Sequence, residues 1–208
     1  MATRDDQRRL IKLARVGKIE GDDGFKQKLS ELVKAGFLGE QLDFNEKPYF
    51  RSALWEATWK NYEVVVKLLV EKKANAELGD YQGRTPLHEA AYYGHVNLVT
   101  YFCDIGCKVD PVDNFGQTPL FRAADAGRDE VVELLVNRKA QTNMLDHDSV
   151  TVQHCAAFKG MPDMSKWLLY KGAWRNRFSM EEGASDPQGG EGTALGDDKK
   201  DETLAEEQ

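Results

Sequence analysis

Apolar residues recur along this chain in short runs at helical spacing. EVVELLV, Glu130 to Val136, is one such run, and the pairs Leu68-Leu69, Tyr101-Phe102, Leu134-Leu135 and Trp167-Leu168 fall in a common register. A second kind of segment precedes each run. SALWEATWKNY begins at Ser52, TPLHEAAYYGH at Thr85, TPLFRAADAGR at Thr118 and TVQHCAAFKGM at Thr151, each 33 residues after the one before. Gly83 with Gly116, Gly94 with Gly127 and Gly160, and Asp80 with Asp113 and Asp146 keep the same register. Self-similarity at a fixed period of this length predicts stacked copies of one supersecondary unit, so residues that recur in register are parts of a scaffold rather than of one active centre.

Each unit has a physical grammar. Thr85, Thr118 or Thr151 supplies a hydroxyl at the N-cap, Pro86 or Pro119 suits the first helical position, where no N–H partner is needed, and Leu87 or Leu120 enters the core. The pairs Ala90-Ala91, Ala123-Ala124 and Ala156-Ala157 are small enough for helices of adjacent units to approach closely, and Gly94, Gly127 and Gly160 suit a left-handed helix end. A second helix follows, then a polar stretch with Asp and Gly turn chemistry such as GCKVDPVDNFG, Gly106 to Gly116. Two antiparallel helices and a projecting turn make one layer.

These segments resemble the ankyrin repeat. The stretch DYQGRTPLHEAAYYGHVNLVTYFCDIGCKVDPV is similar to its pattern, whereas the first unit departs with Ser52, Ala53, Trp55 and Asn61 in place of Thr, Pro, His and Gly, and the fourth with Val152-Gln153 and Ser149. The resemblance implies an all-α solenoid with four repeats at 47–79, 80–112, 113–145 and 146–178. Residues 1–46 then form a helical N-terminal cap in which LARVG, with Ala14 and Gly17, and the later Gly36 resemble a degenerate further unit. The resemblance also makes the His of TPLH a structural part that bonds to the Thr and to backbone between units, a role that falls here to His88 and His154.

Charge divides the chain. Ser179 to Gln208 contains ten acidic residues against Lys199 and Lys200, a net −8 out of the −7 of the whole, which leaves +1 for residues 1–178. This Gly-rich segment is almost free of large apolar residues and cannot offset the entropy of ordering, so it reads as a disordered acidic tail. The repeats themselves have no basic run, which argues against nucleic acid as the partner. The longest apolar runs, such as VVVKLLV from Val64, fall far short of the roughly 18 residues that span a membrane. The opening MATRDDQRRLIKLARVGK is charged where a secretory signal needs an apolar stretch, and Cys103, Cys107 and Cys155 are an odd set. A reducing, cytoplasmic residence is expected, with nuclear or ciliary/axonemal residence as the alternatives.

Three arrangements of side chains suggest chemistry. His88 beside Glu89 resembles a base with an acidic partner, but the register makes it scaffold. His154-Cys155 is an alternative thiol centre for an enzyme or regulator, disfavoured because neighbours on a helix point about 100° apart; an unusually low Cys155 pKa would favour it. Cys103 and Cys107 lack the second ligand pair that zinc wants. No catalytic residue, cofactor or metal is therefore expected. What is left is a binding surface, and the family resemblance places contacts at the turn tips and just after the Ala pairs. Tyr49, Arg51, Trp59, Tyr81, Arg84, Tyr92, Tyr93, Phe115, Asp125 and Phe158 occupy those positions. Tyr, Trp and Arg are frequent interface anchors, so the expectation is a non-catalytic adaptor or assembly subunit, a monomer or part of a hetero-complex, that binds a protein partner. An inhibitor acting through the acidic tail is the other alternative.

Overall fold

The computed structural model describes residues 4–16, 39, 42–45 and 47–172. Nine helices lie within them: α1 (Arg4–Val16), α2 (Ala53–Trp59), α3 (Glu63–Glu71), α4 (Pro86–Tyr93), α5 (Val96–Asp104), α6 (Pro119–Asp125), α7 (Asp129–Asn137), α8 (Val152–Phe158) and α9 (Pro162–Tyr170). From α2 onward they come in pairs. Each first helix begins where the sequence predicts: Ser52, Thr118 and Thr151 accept from the backbone N–H three residues on, at 3.2, 3.3 and 3.3 Å. Pro86 and Pro119 sit at the first helical position.

First helices stack on first helices, in the row α2, α4, α6, α8, and α5 packs on α7 behind them. The apolar register explains the stack. Leu54, Leu87, Leu120 and Val152, one per layer, are at most 3 % exposed, and Leu69, Phe102, Leu135 and Leu168 are completely buried. The partners in those pairs, Leu68, Tyr101, Leu134 and Trp167, are half-buried on the same core. Ala57, Ala90, Ala91, Ala123, Ala124 and Ala156 have no exposed surface because the helix of the neighbouring layer lies against them. Ala157, at the last described layer, is exposed.

The N-terminal helix joins the row. α1 packs against α2 and buries Leu10, Ile11 and Ala14. Gly17 and Gly36, which the sequence reading matched to the repeat, lie outside the described residues, as does the acidic segment Ser179–Gln208.

Left-handed positions recur with the period. Gly94, Gly127 and Gly160 follow their first helices at φ +77°, +66° and +74°, and Asn61 takes the same place at +57°. Gly83 and Gly116 hold the turn at +75° and +77°, where the fourth unit has Ser149 at +60°. At Gly116 a second constraint applies: an added Cβ would stand 2.7 Å from His147 Cδ2 and 3.0 Å from its backbone nitrogen. Ser149 carries the cost of a left-handed L-residue, about 1–2 kcal/mol. Ser149→Gly is therefore expected to stabilise the chain by about 0.5–1 kcal/mol, whereas Gly116→Ser destabilises it by about 2 kcal/mol or more. Urea denaturation of the two variants checks both signs.

Candidate functional site

The projecting turns are rigid. In each, one Asp carboxylate oxygen accepts from the backbone two and four residues on: Asp80 Oδ1 from Gln82 and Arg84 (2.9 and 3.0 Å), Asp113 Oδ1 from Phe115 and Gln117 (both 2.9 Å), and Asp146 Oδ1 from Asp148 and Val150 (3.0 and 2.9 Å). Backbone bonds then join tip to tip. Tyr81 N–H donates to Tyr49 O (3.0 Å), Asn114 N–H to Gln82 O (2.9 Å) and His147 N–H to Phe115 O (2.9 Å). The backbone of these tips is held as a fixed comb, which lowers the entropy cost of using the side chains it carries in recognition.

The imidazole of His88 is one of the pins beneath that comb. Its Nδ1 accepts from Thr85 N–H at 3.1 Å and lies 2.9 Å from Thr85 Oγ1, so Nε2 carries the proton and donates to Gln117 O at 3.0 Å. It is completely buried, and burial pulls its pKa down to about 4, against the smaller upward pull of the Gln117 carbonyl. One unit earlier Trp55 replaces the histidine, and its indole Nε1–H donates to Arg84 O at 3.1 Å, the carbonyl 33 residues before that of Gln117. The substitution that looked like decay in the sequence therefore keeps the interlayer bond. His154 Nδ1 lies 2.7 Å from Thr151 Oγ1, but the ring is exposed at the last described layer.

A second pin crosses the layers at the helix ends. His95 Nε2 donates to Trp59 O at 3.3 Å, and Arg128, 33 residues on, donates through Nε to Tyr92 O at 3.0 Å. Both cap a carbonyl at the end of the preceding unit's first helix.

Between these pins lie the expected contact residues. Arg51 lies across three rings, its Cζ 4.0 Å from the centroid of Trp55, 5.0 Å from Tyr49 and 5.7 Å from Trp59. Lys60 Nζ stands 3.8 Å over Trp59, and Arg122 Cζ 4.5 Å over Tyr92. Tyr92 and Tyr93 meet edge to face, and Tyr93 stacks on His95. Tyr49 and Tyr81, 5.8 Å apart on neighbouring tips, and Phe115 on the next are each about half exposed, and Phe158 is 94 % exposed. Trp59 and Tyr92 are half-buried under their cations. Two of the expected residues are engaged within the chain: Arg84 pairs with Asp80 at 2.7 Å, and Asp125 with Lys159 at 2.9 Å.

Sequence reasoning missed Glu56 and weighed Glu89 only as an acidic neighbour of His88, not as one of a row of buried acids. Glu56 and Glu89 recur at one unit position, which Arg122 occupies in the third unit, and both glutamates are buried. Burial raises the pKa of Glu89, and the positive charges of Arg84, Arg122 and Arg51 pull it back down. Glu89 Oε2, Arg51 Nε and Arg122 Nε are buried with no hydrogen-bond partner among the described residues. The series Glu56, Glu89, Arg122 was available in the 33-residue register as the signal.

The thiols are not activated. Cys155 is buried and donates to Asp125 Oδ1 at 3.8 Å; burial and the Asp125 carboxylate push its pKa up to about 11, away from the thiolate a nucleophile requires. Burial likewise raises Cys107 to about 11 and moves Cys103 upward. Among the described residues no three His, Cys, Asp or Glu side chains group as metal ligands, and no helix is long and apolar enough to cross a membrane.

Paired helices stacked first on first, with turns projecting to one side, define a helical repeat solenoid. The family model for ankyrin repeats (3 copies) matches residues 25–113 and 105–177, and the chain belongs to the ankyrin-repeat family. No curated protein matches it. Repeats of this family generally serve as protein–protein interaction modules.

The buried neutral imidazole makes stability depend on pH. His88 has a folded pKa near 4 against 6.5 when unfolded, so the unfolded chain takes up the proton first and the folded state loses stability as pH falls from about 6.5 toward 4. His88→Phe, which copies Phe121 of the next unit, is expected to cost roughly 1–3 kcal/mol at pH 7. That deficit should shrink by about 2–3 kcal/mol at pH 4.5, where the unaltered chain has lost the histidine contribution. Denaturant melts of both proteins across this range measure it.

Proposed function

We propose that this chain is a non-catalytic adaptor or assembly subunit that binds a protein partner along the turn tips and the ends of the first helices. The carrying observation is the exposure of Tyr49, Tyr81 and Phe115 on successive tips that backbone hydrogen bonds join into one edge. Large aromatic side chains left in water on a rigid frame favour association, and a partner that covers them gains area without ordering the frame. The cations on Trp59 and Tyr92 keep those rings oriented beside the tips.

On this reading the binding edge spans four repeats at 47–79, 80–112, 113–145 and 146–178. Residues 1–46 supply a cap whose helix α1 covers the first layer, which supports their assignment as a degenerate unit. The raised Cys155 pKa supports the non-catalytic role over a thiol mechanism. The partner is a protein rather than nucleic acid, and the chain acts in the cytoplasm as a monomer or as one subunit of a hetero-complex.

Tyr81→Ala and Trp59→Ala are each expected to weaken partner binding by about 2 kcal/mol or more, some thirtyfold. Tyr81→Ala should cost under about 1 kcal/mol of stability because half of the ring is already in water; Trp59→Ala should cost more, since it also removes the ring beneath Arg51 and Lys60. The partner recovered by pull-down from native cytosol is titrated against each variant, with denaturant melts alongside. Affinities within twofold of the unaltered chain for both would refute the proposed edge.

A further inference from the structure

Charge on the binding side is sorted by depth. Glu56 is 0 % exposed, Glu89 4 % and Asp80 7 %, so the carboxylates lie behind the rings. The cations lie in front: Lys60 and Lys159 are exposed, and the guanidinium groups of Arg51 and Arg122 lie across Trp55, Tyr49 and Tyr92. The acids that share the front are Asp125, tied to Lys159, and Asp148 on the last described tip. Except at Asp148, a ligand approaching this side therefore meets aromatic surface and positive charge before it meets a carboxylate.

We propose that the acidic segment Ser179–Gln208 of the same chain occupies this face and is displaced when the partner binds. The inference rests on the reading of the face as the binding edge. Complementarity supports it: the segment carries −8, against +1 for the rest of the chain. Geometry permits it, because the 36 residues after Gly172 reach up to roughly 120 Å when extended. Crossing from the fourth layer to Lys60 in the first needs about 30 Å, at about 10 Å per helix layer. Tethering gives the segment an effective concentration on the order of millimolar, enough to favour it over a second copy in dilute solution. With few large apolar residues, it is held by screened charge rather than by packing, and a partner with apolar anchors for Tyr81 and Phe115 displaces it.

Zero-length carbodiimide cross-linking of the full chain, followed by peptide mass spectrometry, tests the contact. At 50 mM NaCl, products joining Lys60 and Lys159 to acids of Ser179–Gln208 are expected at least fivefold above those of Lys73 and Lys166, exposed lysines just after α3 and within α9. The Lys60 product should fall at least fivefold at 500 mM NaCl and at least threefold in Arg122→Gln. Its yield should not change on dilution, and mixing isotope-labelled with unlabelled chain should give no mixed products. Equal yields at Lys60 and Lys73, or yields unaffected by salt, would overturn the proposal, and mixed products would assign the face to a second copy instead. If Arg122→Gln lowers the melting temperature, the salt series on the unaltered chain still discriminates. Loss of partner affinity in Trp59→Ala without these cross-links would sink this inference and leave the binding edge standing; cross-links with partner affinity unchanged in Trp59→Ala and Tyr81→Ala would sink the binding edge and displacement by the partner, and leave only the contact of the segment with this face.

Discussion

A helix pair of this chain cannot bury its apolar face against itself, so the layer beside it must do so, and every other feature depends on that contact between layers. The contact is apolar at its centre, where Leu87, Leu120 and the Ala pairs at 90–91 and 123–124 are buried in one core, and polar at its edge, where a ring N–H reaches across to a backbone carbonyl. Trp55 and His88 make the same bond with different rings because the requirement is for a donor at one place, not for an imidazole. Once layers are fixed at this spacing, the tips meet and join by backbone bonds of their own, and the side chains they carry become one edge.

That geometry also explains the charge. A carboxylate behind the first helix loses its water, and at Glu89 only the nearby Arg84, Arg122 and Arg51 oppose the penalty. The guanidinium groups themselves lie over aromatic rings, which offset part of the hydration the cations lose. Layer stacking thus produces an aromatic and cationic edge, and the acidic segment of the chain lies in the same molecule as its complement.

Much of this was legible in the sequence. The 33-residue register located every helix pair, the Thr caps, the left-handed positions and the structural role of His88, because each of those depends on local backbone chemistry repeated in place. Trp55, Asn61 and Ser149 looked like departures from the pattern, yet each keeps the geometry it replaces, the last two at positive φ. Less legible was the company the contact residues keep. Arg84 and Asp125 looked available in sequence but are paired within the chain, Glu56 was unremarked, and Glu89 was weighed only beside His88, since its burial and the charges around it come from neighbouring layers.

The central claim, that stacking creates a binding edge on the tips and the first-helix ends, is tested most directly by hydrogen exchange of the full chain with and without the captured partner. Protection concentrated in residues 80–84, 91–95 and 113–117 is the result this account predicts. Protection confined to the second helices α3, α5 and α7, with exchange at the tips unchanged, would contradict it.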